Sequence, residues 1–143
     1  MKYISTIIIL ILIASILSIT FYNQPKACFK QSCINLELAK TQEKRTQGLM
    51  YKTELKNNLG ILFIYEEEGL YNIWMKNTLI PLDIIWIDQN FQIKQIEKAN
   101  LCEIEECKTY NALYPTKYII EVNQGFTIEN NIKVGDIITL RNY

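Results

Sequence analysis

Gly60-Ile61-Leu62-Phe63-Ile64-Tyr65 is a continuous apolar run of strand length, and Asp83-Ile84-Ile85-Trp86-Ile87-Asp88 reads as a further strand. Short runs rich in β-branched and aromatic residues, bounded by turn formers, read as strands. Pro81 separates the second run from residues 70–77, which alternate. There Tyr71, Ile73 and Met75 fall on one face, and Asn72, Trp74 and Lys76 on the other. Asp88-Gln89-Asn90 is a turn into a strand over 91–97, with Asn90 suited to the left-handed position.

Working outward, Ile34-Asn35-Leu36-Glu37-Leu38-Ala39 alternates, so Ile34, Leu36 and Leu38 point inward. Thr41 suits the N-cap of a helix over 42–51, and Glu43 favours its first turn. Arg45 and Leu49 share one side of it, and Gly48 in its middle implies a close neighbour. Towards the C-terminus, 110–113 reads as a helical turn stopped by Pro115. Residues 117–123 are a strand with Tyr118, Ile120 and Val122 opposing Ile119, Glu121 and Asn123. Residues 127–131 form a short helix capped by Thr127, and 134–140 a Gly-Asp turn with a final strand. The fold class is therefore mainly β (α+β). It is a compact antiparallel β-barrel-like domain with two or three short helices, preceded by an N-terminal hydrophobic helix.

The 143 residues carry 15 Lys plus Arg and 15 Asp plus Glu, with 49% apolar and 21% charged residues. This is a globular composition, and the balanced charge lacks the basic footprint of a nucleic-acid binder. Histidine is absent. That excludes Ser-His and Cys-His catalysis and His-ligated metals.

Apolar residues crowd the first 22 positions, where Lys2 is the lone charge. A helix over 4–21 would rise about 27 Å, near the span of a hydrocarbon core. Residues 1–22 therefore read as a signal peptide or an N-terminal membrane anchor. Either places the following domain at the cell membrane on the extracytoplasmic side, or secretes it if the leader is cut. Residues 23–33 read as a linker holding Cys28 and Cys33, and 34–143 as the globular domain. All four cysteines, Cys28, Cys33, Cys102 and Cys107, lie beyond the leader. In an exported domain they read as two local disulfides, each restricting the unfolded chain by about 2 kcal/mol. The rival is a zinc site built from four thiolates. A redox site of the C-x-x-C type is absent.

The segment Arg45-Thr46-Gln47-Gly48-Leu49-Met50, Gly60-Ile61-Leu62-Phe63, Trp74-Met75-Lys76-Asn77-Thr78 and Ile80-Pro81-Leu82-Asp83 resembles the signature of the domain of unknown function 192 family. The resemblance continues through Tyr118 to Gly125 and through Ile132-Lys133-Val134-Gly135-Asp136, and spans roughly residues 34–140. Cys102 and Cys107 fall where many exported members carry a cysteine pair. Cys28 and Cys33 stand outside the family pattern, Ile61 replaces a usual Met, and Asn90-Phe91 replaces the usual Asp-Gly. The resemblance implies a compact β-rich, barrel-like fold and leaves the activity unassigned.

Arg45, Trp74, Lys76, Asn77, Thr78 and Asp83 form the candidate ligand-binding set. Arg45 and Lys76 would clamp an anion, Asn77 and Thr78 would orient it, and Trp74 would wall a sugar or acyl group. The plainer reading is structural. Asn77 and Thr78 bond the turn before Pro81, and Asp83 pairs with Arg45 or Lys76. Asp83 and Glu121 are weak catalytic candidates as a carboxylate pair, and Glu121 with Asn123 equally suits a solvated face. Glu66-Glu67-Glu68-Gly69 reads as a solvated hairpin loop without EF-hand spacing. No metal site and no cofactor are expected. The leading expectation is a domain that binds an anionic small molecule, a glycan or an envelope protein. The alternatives are a hydrolase or lyase using Asp83 or Glu121 with Arg45, and a structural accessory that docks a partner protein.

Overall fold

The computed structural model describes residues 4, 6–13, 23–30, 32–102 and 107–143. Its strands are β1 (Lys26–Phe29), β2 (Ser32–Ala39), β3 (Leu59–Gly69), β4 (Ile73–Trp74), β5 (Leu82–Ile87), β6 (Ile93–Ala99), β7 (Thr109–Tyr110), β8 (Thr116–Asn123) and β9 (Ile138–Arg141). The helices are α1 (residues 6–13), α2 (Gln42–Gln47) and α3 (Phe126–Glu129).

Seven strands form one sheet in the order β6-β5-β8-β3-β2-β1-β9, while β4 and β7 make a separate ribbon. Only β2 and β3 run parallel, because the chain crosses between them through α2 and the loop after it. The sheet curls until its two edges meet. Gln92 bridges Ile137, the Ile93 N–H donates to Asp136 O at 2.9 Å, and the Ile138 N–H donates to Phe91 O at 3.0 Å. The fold is thus α+β with a curled, barrel-like sheet and three short helices, as the sequence implies.

Both faces of the sheet are covered. The inner core gathers Ile34, Leu36, Leu62, Ile85, Ile120 and Val122. The outer core gathers Ile61, Phe63, Ile84, Trp86 and Ile119 beneath Leu49, Met75, Ile80, Tyr110 and Ala112. β5 is buried at every position, which is why its sequence is apolar at all but Asp83.

Several local expectations are corrected. The helix over 42–51 ends at Gln47, because Gly48 turns left-handed at φ +46°. Gly48 does have the close neighbour its presence implied, for a Cβ there would sit 3.3 Å from the Phe63 ring. Residues 66–69 extend β3 rather than forming a hairpin loop. Residues 70–77 contribute only Ile73–Trp74 as strand, and 110–113 hold the end of β7 instead of a helical turn. Phe91, not Asn90, takes the left-handed angle in the β5–β6 turn. α3 starts after Gly125, so Thr127 lies inside it rather than capping it.

The membrane-anchor part of the N-terminal expectation is also corrected. Among the described residues no helix is long and apolar enough to cross a membrane. Residues 14–21 of the expected anchor lie outside the described residues. A membrane partner through residues 4–21, a transmembrane helix or signal anchor, and the cell-membrane location built on them do not stand. β1, within the stretch 23–33 read as a linker, pairs with both β2 and β9.

The cysteines form Cys28–Cys33 and Cys102–Cys107 disulfides. No thiol remains for the zinc rival. Cys28 lies directly opposite Cys33 in the β1–β2 hairpin, which ties that hairpin across its two strands.

Candidate functional site: a pocket on the outer face of the sheet

Alternation along β8 puts Tyr118, Ile120 and Val122 into the inner core and Ile119 into the outer one. Glu121 shares the outer face with Ile119. It lies between Ile61 of β3 and Ile84 of β5 in the sheet register. Both neighbours are apolar and buried, and Glu121 is itself only 4% exposed. Its burial pushes the carboxyl up from the ordinary 4.5 to about 8, with desolvation the whole cause. This carboxyl is not among the polar atoms sealed in the core without a partner.

Glu121 instead lines a cavity of about 810 Å³. Two elements wall it: α2, through Gln42, Arg45 and Thr46, and the end of β3, through Phe63, Tyr65, Glu66 and Glu67. The chain from Leu70 to Trp74 closes the opposite side, with Thr78 beyond it. Tyr65 and Tyr71 stack at 3.5 Å between ring centroids and 5° between planes. Burial raises the Tyr65 hydroxyl to about 12, against the pull of the Arg45 charge.

Arg45 lines this pocket, with its terminal nitrogens committed to the fold and its buried Nε without a partner. Its Nη1 donates to Lys40 O at 2.6 Å and Ile64 O at 2.9 Å, and its Nη2 to Gln42 Oε1 at 3.3 Å. Its guanidinium also lies 5.0 Å from the Tyr65 ring centre. Arg45 therefore fastens α2 to the end of β3 and shapes the pocket wall.

The rest of the expected set divides. Trp74 and Thr78 line the pocket beside Arg45 and Glu121. The Trp74 indole N–H donates to Cys107 O at 3.2 Å, so the stapled loop holds the ring in place. Lys76 is exposed and lies over the Trp74 ring at 4.9 Å, outside the pocket lining. Asn77 is left-handed at φ +57°. Its Nδ2 donates to Tyr51 Oη at 2.8 Å, so it serves the turn.

Asp83 is far from this arrangement in role. It is fully buried, and its Oδ2 accepts from the Gly125 N–H at 3.2 Å, the Thr127 N–H at 2.9 Å and the Thr127 hydroxyl at 2.6 Å. It pairs in register with Val122 of the inner core, whereas Glu121 faces outward. The two carboxyls point to opposite faces, and the expected carboxylate pair is not built. Asn123, read with Glu121 as a solvated face, is half-buried, and its Nδ2 donates to Leu55 O at 2.6 Å.

Sequence reasoning missed Tyr65, Tyr71, Gln42 and Thr46. It did place Glu121 on one face with Ile119, and that shared apolar face was the available sign that Glu121 is buried.

The family model for DUF192, described as an uncharacterized ACR, matches residues 26–140. The chain belongs to the DUF192 family. Two solved structures share the fold. One is a protein of unknown function from Novosphingobium aromaticivorans, 30% identical, covering 81% of this chain and 83% of its own, with a TM-score of 0.71. The other, described as a proposed transcription regulator, comes from Sinorhizobium meliloti. It is 28% identical, covers 82% of this chain and 92% of its own, and has a TM-score of 0.73. No curated protein matches the sequence. DUF192 membership thus accounts for the sheet and leaves the chemistry to be read from the pocket.

Proposed function

We propose that this DUF192 protein binds a small uncharged molecule carrying a ring, in the pocket between α2 and the Leu70–Trp74 segment. The observation that carries the reading is Glu121. Its carboxyl is flanked by isoleucines in the sheet and lines the pocket, where a ligand can bond it. The cavity of about 810 Å³ that it lines is of the size small ligands occupy.

Charge decides against the anionic ligand that the sequence suggests. Lys76 is outside the lining, and Arg45 already bonds two backbone carbonyls. Glu66 and Glu67 line the same pocket, so an anion would meet acid there. The aromatic groups Phe63, Tyr65, Tyr71 and Trp74 favour a flat or ring-shaped partner. The likeness to a proposed regulator adds no DNA-binding reading, because 15 positive and 15 negative residues give no basic surface excess.

The test is a ligand-observed NMR screen of neutral ring fragments, followed by resonance mapping. Binders should shift the Trp74 indole and Thr78 amide signals, and Thr46→Trp, which fills the exposed mouth, should remove the effect. A screen in which no fragment moves those signals rejects the pocket as a binding site.

A second reading rests on the same carboxyl. A group titrating near 8 can give and take a proton near neutral pH. Turnover of a bound molecule that is lost in Glu121→Gln while binding persists would establish it.

A further inference from the structure

We infer that the ring this pocket holds presents a cyclic amide edge, a ring N–H beside a ring carbonyl, and that Glu121 pairs with both atoms at once. The inference rests on the pocket reading above and names its ligand class. Its basis is the set of hydrogen-bonding groups the cavity offers.

Glu121 projects from the middle of β8 between Ile61 and Ile84. Neither neighbour can donate to it or accept from it. A carboxyl kept protonated there has an O–H donor and a carbonyl acceptor on one planar edge. The complement of that edge is an acceptor next to a donor in one plane, and a lactam or ureide has this form. Pairing makes two parallel hydrogen bonds along that edge.

The surroundings agree with a flat, neutral ring. Aromatic side chains from β3 and from the Leu70–Trp74 segment line the cavity. The protein's own cations lie over two of these rings. Arg45 covers Tyr65 at 5.0 Å and Lys76 covers Trp74 at 4.9 Å.

The charged and titratable groups around Glu121 come from each element packed against it. They are Arg45 of α2, Tyr65, Glu66 and Glu67 of β3, and Tyr71 of the facing segment. Tyr65 keeps its proton up to about 12, so it adds no charge in the range tested. Ionisation of Glu121 removes the donor and leaves two acceptors facing the ligand carbonyl.

The experiment uses the full chain with 2-pyridone and N-methyl-2-pyridone, which differ only by the ring N–H. Binding is followed by NMR titration at about pH 6 and about pH 9.5. The expected result is 2-pyridone binding at least tenfold tighter than its methylated form at the lower pH, and more than tenfold weaker at the higher. Glu121→Gln, whose amide also offers a donor and an acceptor, should keep 2-pyridone binding and lose the pH dependence. Glu121→Leu should lose the discrimination between the two probes. Equal binding of both probes, or unchanged discrimination in Glu121→Leu, overturns the inference. If neither pyridone binds while other neutral rings still shift Trp74 and Thr78, the amide edge is rejected and the pocket reading stands. If nothing binds, both fall.

Discussion

The Asp83 carboxylate on β5 holds the Thr127 hydroxyl at 2.6 Å and the Thr127 N–H at 2.9 Å. It thereby caps α3 from a different strand, in place of the N-cap side chain that Gly125 lacks. Two backbone N–H groups and one hydroxyl depend on this oxygen. Asp83→Ala should therefore destabilise the protein by about 3 kcal/mol, since it leaves buried donors unmet. Urea denaturation measures the loss. Fragment binding in the outer pocket should be unchanged at concentrations where the variant stays folded. A variant of normal stability that no longer binds would return Asp83 to the site.

Glu121 makes stability depend on pH in the direction opposite to a salt-bridged acid. Its carboxyl is raised from 4.5 to about 8 by burial, so the folded state holds the proton more tightly than the unfolded chain. The contribution is full below about pH 4.5 and is lost as pH rises through about 8. Wild-type stability should fall between these values by on the order of a few kcal/mol. Glu121→Gln should remove this fall and be the more stable protein at about pH 9. Melting curves of the two proteins across the range decide it. Parallel curves would mean that Glu121 titrates as an exposed acid.

Lys76 gives the opposite expectation to the one its sequence neighbours suggest. It stands in a polar run beside Asn77 and Thr78, yet its ammonium covers Trp74 from outside the pocket lining. An exposed cation on an indole face contributes about 0.5–1 kcal/mol. Lys76→Ala should cost no more than that in stability and leave fragment binding within about twofold. Isothermal titration of a fragment from the screen checks this. A loss of binding beyond tenfold would restore Lys76 as a ligand contact.

What could be read in advance followed from how completely each strand is buried. β5 is covered on both faces and shows it as an apolar run broken only by Asp83. β8 is covered on both faces too, but Glu121 interrupts its outer face, so its alternation resembled a half-solvated strand. Residues 70–77 alternate correctly, with Ile73 and Met75 buried and Trp74 half exposed. They find only β7 as a neighbour, so most of the stretch does not become strand. The pocket itself was illegible for a topological reason. Gln42, Tyr65 and Tyr71 converge through the β2–α2–β3 crossover, a relation between distant segments that local pattern does not encode. Arg45 shows the same limit. Its residue type suits an anion, and only the fold shows that Lys40 and Ile64 carbonyls already hold it.

Gly60 connects this packing to the pocket floor. A Cβ there would lie 2.8 Å from the Glu121 carbonyl oxygen, 3.0 Å from Val122 Cγ1 and 3.1 Å from Ile34 Cδ1. The first of these is backbone in a central strand, so it cannot swing aside as a side chain would. Gly60→Ala must force β3 and β8 apart at the point where Ile61 faces Glu121. Overpacking of this kind costs about 3 kcal/mol. The strand shift would also let water reach Glu121 and lower its carboxyl towards the ordinary value. Gly60→Ala should thus show two linked changes: a lower melting temperature and a shallower dependence of stability on pH above about 5. A destabilised variant with the full wild-type pH dependence would show that the floor moves as a unit and that Gly60 serves the sheet alone.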